Sequence, residues 1–234
     1  MFRHLKVALD TLSTMLVVAA AAALLWRLYQ PVPPPPGRRP PVETVSALTI
    51  APSKVTHVRG TGRVVLVEFA DYECPFCARH AQNTAPTIKK ELLDTGEIQY
   101  VFFNFPLPIH PHAQKAGEAA ECAAQQGRFW EMHERLFEDP KALEVVDLSR
   151  RAENLGLDKV KFMKCLESGQ TAEKVHADLA EGRRLGVNST PAFFVGAIQP
   201  DGAIKLLKRI NGAVPFEQFD GVVNELLPKR RAQR

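Results

Sequence analysis

Two cysteines, Cys74 and Cys77, flank Pro75-Phe76 at a point where an apolar strand pattern gives way to a helix-compatible one. No other stretch constrains the chain as strongly. Val64-Val65-Leu66-Val67-Glu68-Phe69 leads in, a buried-strand signal, and Ala78-Arg79-His80-Ala81 leads out. A proline at the first helical position gives up an N–H that has no intrahelical partner anyway. Cys74 then stands at the helix N-terminus, where free backbone N–H groups and the positive dipole end favour a thiolate. Cys77 comes one turn later on the same face, within reach of Cys74. The arrangement reads as a reversible dithiol/disulfide site.

The rest of the chain places that site in a larger design. Residues 1–29 open with the positive leader Met1–Lys6, then an apolar run from Leu12 to Trp26 closed by Arg27. This reads either as a cleavable signal peptide or as an uncleaved anchor over residues 7–28. Leu24-Leu25-Trp26-Arg27 favours the anchor, as span plus interfacial belt. Both readings export the domain beyond it, because the positive leader stays in the cytoplasm. Residues 30–58 form a Pro-rich linker and lead-in. Seven prolines among the twelve residues Gln30–Pro41 make a semi-rigid polyproline spacer of roughly 35 Å. Val42–Ile50 reads as a lead-in strand and Lys54–Gly62 as a turn region.

From residue 59 to 228 the pattern is that of one domain. After the Val64–Phe69 strand, a helix runs from Cys74 to Asp94, kinked by Pro86 and stopped at Gly96. Ile98–Phe105 is the next strand. Helical segments come next at His112–Gln126, Arg128–Glu138, Val146–Leu155, Asp158–Gly169 and Thr171–Leu185, punctuated by Gly127, Pro140, Gly156 and Gly169. Strands return at Ala192–Val195 and Ala203–Ile210, and Phe216–Leu227 is a last helix. The order β-α-β, helical block, β-β-α predicts an α/β fold with a helical insertion at about residues 110–187. Residues 229–234 are a basic tail.

Nine of the 30 basic residues lie in the two ends, against Asp10 alone of the 26 acidic ones, so residues 42–228 carry a net −4. A domain of that charge presents no nucleic-acid face. Four cysteines are too few for a disulfide-dense scaffold but suit two pairs, Cys74 with Cys77 and Cys122 with Cys165. The second pair reads as a structural disulfide between two helices, with two buried free thiols as the alternative.

Val67-Glu68-Phe69-Ala70-Asp71-Tyr72-Glu73-Cys74-Pro75-Phe76-Cys77, together with the distant Gly186-Val187-Asn188-Ser189-Thr190-Pro191-Ala192-Phe193-Phe194-Val195, resembles the thioredoxin-fold disulfide oxidoreductases of the DsbA-like branch. The helical stretch between them is similar to the domain that this branch inserts into its thioredoxin core. The resemblance covers about Arg63 to Leu227. It implies that Cys74 attacks and Cys77 resolves, with a redox-active disulfide as the only prosthetic chemistry and no separate cofactor. It also implies that Pro191 is cis and faces the cysteines, with Thr190 beside the sulfurs and its backbone open to an extended substrate. Glu68, six residues before Cys74, matches a buried acid that relays protons to Cys77; the alternative is a glutamate facing solvent. Pro75 and Phe76 tune the pair. The strongest oxidants of the branch carry His where Phe76 stands, so a milder oxidant is expected, still more oxidising than thioredoxin.

The partners implied are cysteine-containing protein substrates and, by analogy, a membrane protein that re-oxidises the site and passes electrons to quinone. Isomerase and reductase relatives carry a dimerisation domain, and Val42–Gly62 is short for one, so the resemblance favours an oxidase in the periplasm or another extracytoplasmic space. Two other classes are weaker. A zinc site built on Cys74, Cys77 and His80 lacks the four ligands that a closed site needs, with no second C-x-x-C in the chain. A non-enzymatic holder of unfolded chains would have no use for the cysteine pair.

Overall fold

The computed structural model describes residues 42–227. The predicted N-terminal segment 1–29, the polyproline stretch and the basic tail lie outside the described residues. Among the described residues, no helix is long and apolar enough to cross a membrane.

Seven strands form one sheet: β1 (Glu43–Thr44), β2 (Thr49–Ile50), β3 (His57–Gly60), β4 (Val64–Ala70), β5 (Ile98–Asn104), β6 (Ala192–Ile198) and β7 (Ile204–Asn211). Their order is β1-β7-β6-β4-β5-β3, with β2 also on β7. β4 and β5 are parallel, whereas β4–β6, β6–β7 and β3–β5 are antiparallel. Every residue of β4 is buried, as its unbroken apolar run requires of a central strand covered on both faces.

One sequence expectation changes here. Lys54–Gly62 is not a turn region: its centre is the edge strand β3, paired with β5 from His57↔Phe102 to Gly60↔Gln99. The lead-in strand expected over Val42–Ile50 is present as two short pieces, β1 and β2, both paired with β7. Short segments with little periodicity of their own become strands because the edges of β5 and β7 offer them unpaired N–H and C=O groups.

The helix after Cys74 begins as α1 (Pro75–Arg79) and continues through α2 (Ala85–Ile88), joined by the wide turns His80–Thr84 and Lys89–Leu93. Pro86 has no N–H to donate. The turn before it widens, so that Ala85 N–H bonds the His80 carbonyl five residues back.

The helical block between β5 and β6 comprises α3 (Ala113–Ala124), α4 (Phe129–Glu138), α5 (Val145–Asn154), α6 (Lys159–Ser168) and α7 (Ala172–Arg184); α8 (Phe216–Leu226) closes the described chain. A disulfide joins Cys122 of α3 to Cys165 of α6, with Cα atoms 5.8 Å apart.

Three apolar cores divide the interior. One, under the helical block, includes Tyr72, Cys74, Cys77, Phe102, Met132 and Phe162. The other two cover the faces of the sheet, one with Val65, Val67 and Phe69, the other with Val64, Leu66 and Phe219. A buried polar chain ties block to sheet. His57 Nε2 meets Glu121 at 2.9 Å, while Asn104 Nδ2 donates to Glu121 (2.9 Å) and to Asp178 (3.1 Å). Lys174 pairs with Asp178, and the His57 ring stacks on Phe129 at 3.4 Å between centroids. Buried charges persist only when paired in this way.

Candidate active site

The antiparallel register of β4 and β6 assembles the site. Ala192 lies opposite Phe69, so the residues just before β6 fall beside the end of β4 that leads into Cys74. Cys74 keeps extended backbone angles as the residue capping α1, and Pro75 takes the first helical position. The Cys74 N–H bonds the Asp71 carbonyl at 3.1 Å. Both cysteines are reduced, with exposures of 3% for Cys74 and 0% for Cys77.

Their chemistry is split. A hydrogen bond from the Cys77 thiol, joined by the backbone N–H groups of Cys77 and Phe76, lowers the Cys74 pKa from 9.0 to about 6 despite its burial. Burial pushes Cys77 well above the ordinary thiol range, and sharing its proton with Cys74 pushes it further; the Asp71 N–H opposes both. Near neutral pH the pair therefore rests as a Cys74 thiolate and a Cys77 thiol. A pair poised in this way can offer a nucleophilic sulfur at Cys74 while Cys77 keeps its proton.

The Thr190–Pro191 peptide bond is cis. Thr190 meets Cys74 through its carbonyl oxygen, 3.6 Å from the sulfur, whereas its hydroxyl is buried with no hydrogen-bond partner. Glu68 is 2% exposed and accepts a hydrogen bond from the Tyr100 hydroxyl. The solvent-facing alternative for this residue is thereby overturned, since both faces of β4 are covered. Burial raises the Glu68 pKa from 4.5 to about 7, with the Tyr100 hydrogen bond pulling the other way. A carboxyl with that poise can both give and take a proton near neutral pH, and its charge is felt at Cys77. Phe76 is 53% exposed, with the Arg79 guanidinium 4.9 Å from its ring centroid.

Sequence reasoning did not find Tyr100, Asp71 or His110. Tyr100 lies one strand over, opposite Leu66, on the diagonal from Glu68. Asp71 is buried at the end of β4 and binds the segment after β5 through Leu107 N (2.7 Å) and His110 Nδ1 (2.8 Å). The one usable signal was an acid at the end of an apolar strand. His80, weighed as a zinc ligand, packs its ring on Phe193 and Phe219 at 4.5 and 5.5 Å. Burial drives its pKa from 6.5 to about 3. Among the described residues, no three His, Cys, Asp or Glu side chains are grouped to hold a metal ion.

Residues 54–208 match the family described as thioredoxin, which is well over half of the chain; the chain belongs to that family. Its fold is that of the DsbA-like thiol:disulfide oxidoreductases. Among solved structures it is similar to alpha-DsbA1 of Wolbachia pipientis, with a TM-score of 0.64 and 22% identity over 75% of this chain and 92% of that one. Oxidised BdbD from Bacillus subtilis gives 0.63 and 22%, covering 78% of this chain and 97% of that one. A thioredoxin-like oxidoreductase from Silicibacter pomeroyi gives 0.60 and 26%, covering 74% and 92%.

Among curated sequences, the Na(+)/H(+) antiporter NhaA 3 of Salinispora tropica is 40% identical over 149 residues, 62% of this chain and 22% of the antiporter. NhaA of Herminiimonas arsenicoxydans is 38% identical over 144 residues, 61% of this chain and 22% of its own length. The chain thus spans less than a quarter of these curated relatives.

Proposed function

We propose that the protein is an exported thiol:disulfide oxidoreductase that introduces disulfides into cysteine-containing proteins through Cys74 and Cys77. The observation that carries this reading is the opposite poise of the two thiols, Cys74 lowered to about 6 and Cys77 raised, across one helical turn. In the forward step a substrate thiolate attacks the Cys74 sulfur of the Cys74–Cys77 disulfide. The S–S bond breaks, Cys77 departs as a thiolate, and Glu68 returns a proton to it. A second substrate thiolate attacks the mixed disulfide and releases Cys74 as the stable thiolate. The substrate leaves oxidised and the enzyme holds two electrons. A quinone-linked membrane partner removes them and reforms the Cys74–Cys77 bond.

Stabilising the Cys74 thiolate stabilises the reduced enzyme and so strengthens the oxidant. Phe76 brings neither an imidazole hydrogen bond nor a positive charge to that sulfur, and the reading is accordingly of a mild oxidant above thioredoxin in potential. Thr190 and Pro191 face Cys74 as the edge on which an extended substrate segment pairs. Residues 7–28 hold the domain at the outer face of the inner membrane, or are removed to release it. The antiporter activity named for the sequence relatives is not carried over, because the match spans so little of those proteins.

Trapping the thiols in living cells with an alkylating reagent tests the direction. A Cys74–Cys77 pair found mostly oxidised supports the oxidase. A mostly reduced pair transfers the site to an isomerase or reductase, and a reduction potential as low as thioredoxin's removes the oxidant reading altogether.

A further inference from the structure

A chain that approaches Cys74 meets the start of α1, because Cys74 itself is nearly covered while Pro75 and Phe76 stand in solvent. The Phe76 Cα lies at most about 7.6 Å from that of Cys74, two backbone steps of about 3.8 Å. Arg79, the last residue of α1, is exposed as well. Helical side chains lean toward the N-terminus and meet those three residues earlier, so Arg79 comes back over Phe76. Its guanidinium carbon stands 4.9 Å from the centroid of that ring.

Arg79 differs from the other cations that lie over rings. Arg59 over Trp130 also pairs with Glu134 at 2.6 Å, and Lys174 over Phe103 also pairs with Asp178. Arg209 over Phe194 also donates to Asn211 at 2.8 Å. Arg79 has the Phe76 ring and, among the described residues, no ion pair or side-chain hydrogen bond. Attraction to a ring face takes up no hydrogen-bond acceptor, so the guanidinium N–H groups stay open to a carboxylate. The acids of the neighbouring loop are engaged elsewhere. Asp71 accepts from Leu107 N and His110 Nδ1, and Glu73 accepts from His112 N at 2.7 Å. An incoming chain therefore meets an uncommitted positive charge next to Cys74, on a domain whose net charge is negative.

We propose that Arg79 is a specificity-determining residue of the exchange: its guanidinium, held over Phe76, takes a carboxylate that neighbours the reacting cysteine of an incoming segment. The favoured substrates are then protein segments with an acidic residue beside the cysteine. This rests on the reading of Cys74 as the sulfur that substrates attack. The chemical step is unchanged: the substrate thiolate bonds to the Cys74 sulfur, the Cys74–Cys77 bond breaks, and Cys77 leaves with the electron pair. Arg79 acts on how often that encounter is productive.

The test reacts the oxidised full-length protein, near neutral pH in low salt, with two short peptide thiols and quenches with acid. One peptide carries glutamate and the other lysine next to its single cysteine, and the quantity read is the ratio of their rates. Differences in the peptides' own thiols cancel when that ratio is compared between proteins. Arg79→Gln should lower the glutamate-to-lysine ratio about threefold, the size of one exposed charge pair, and Arg79→Glu should lower it about threefold further. In about 1 M salt, where charges are screened beyond about 3 Å, the wild-type ratio should fall to that of Arg79→Gln. Thiolate absorbance should still titrate Cys74 at about 6 in both variants, because Cys77 and nearby backbone N–H groups lower it. An unchanged ratio in Arg79→Gln overturns the proposal, and so does an equal slowing of both peptides, which is what a structural role for Arg79 would give. A wild-type protein that exchanges with neither peptide fails at the earlier step and refutes the proposed function instead.

Discussion

At the scale of single residues, two side chains next to the cysteine pair carry predictions. Phe76 is the residue that can be exchanged for a stronger thiolate partner, since it is exposed and its ring carries the Arg79 guanidinium. Phe76→His should lower the Cys74 pKa by about one unit and raise the reduction potential by about 30 mV. Thiolate absorbance against pH and equilibration with glutathione would read the two, and an unchanged potential would remove Phe76 as the tempering group. Glu68 carries the second prediction. Its folded pKa of about 7 lies above its ordinary 4.5, so between these values the unfolded chain has released a proton that the folded one keeps. Stability should therefore be greatest below pH 4.5 on this account, fall as pH rises through the window, and level off above about 7, a loss of roughly 3 kcal/mol. Glu68→Gln keeps an acceptor for the Tyr100 hydroxyl and removes the titration. Urea unfolding across that pH range should show a flatter profile in the variant and a more stable protein above about pH 7.

Between elements, the decisive contacts are close approaches that only tertiary structure creates. In α7, a Cβ added at Gly182 would stand 2.5 Å from the Phe105 ring and 2.9 Å from the Phe69 ring. Those rings belong to the core over β4 and β5, so neither can swing into solvent. Gly182→Ala should lower stability by about 1–2 kcal/mol, the overpacking cost less the gain in helix propensity. Thermal unfolding would measure it, and a stabilised variant would mean that α7 is free to shift outward. The helix boundaries themselves were legible. Glycine and proline punctuation places the helices of the block within a few residues of where they stand, because each break is a local backbone property. β3 was not legible, since His57-Val58-Arg59-Gly60 becomes a strand only through the edge of β5 that it pairs with. The wide turns around Pro86 are a milder case: a kink was foreseeable, but how the ladder absorbs it depends on neighbours.

For the whole molecule, the helical block is tied to the sheet by the chain His57–Glu121–Asn104–Asp178 and stapled within itself by Cys122–Cys165. The staple spans a sequence separation of 43 residues, so its removal restores conformational freedom chiefly to the unfolded chain. The double variant Cys122→Ala/Cys165→Ala should lose about 2–4 kcal/mol in denaturant unfolding. Its Cys74 titration should stay in place, because neither Cys122 nor Cys165 contributes to the groups that lower it.

Sequence by itself determined the parts of this protein that depend on covalent neighbours. Cys74 and Cys77 fall one turn apart, Pro75 starts the helix, and the apolar run through Phe69 makes a central strand; each arises from local backbone chemistry. The distant Thr190-Pro191 was legible only by resemblance. Tertiary structure alone decided the partners. Glu68 became a buried acid because both faces of its strand are covered, and Tyr100 reached it from the next strand. Asp71 found His110 across 39 residues of chain. Burial and long-range hydrogen bonding arise from the packing of elements far apart in sequence, and no local pattern around Glu68 or Asp71 encodes which side chain will arrive.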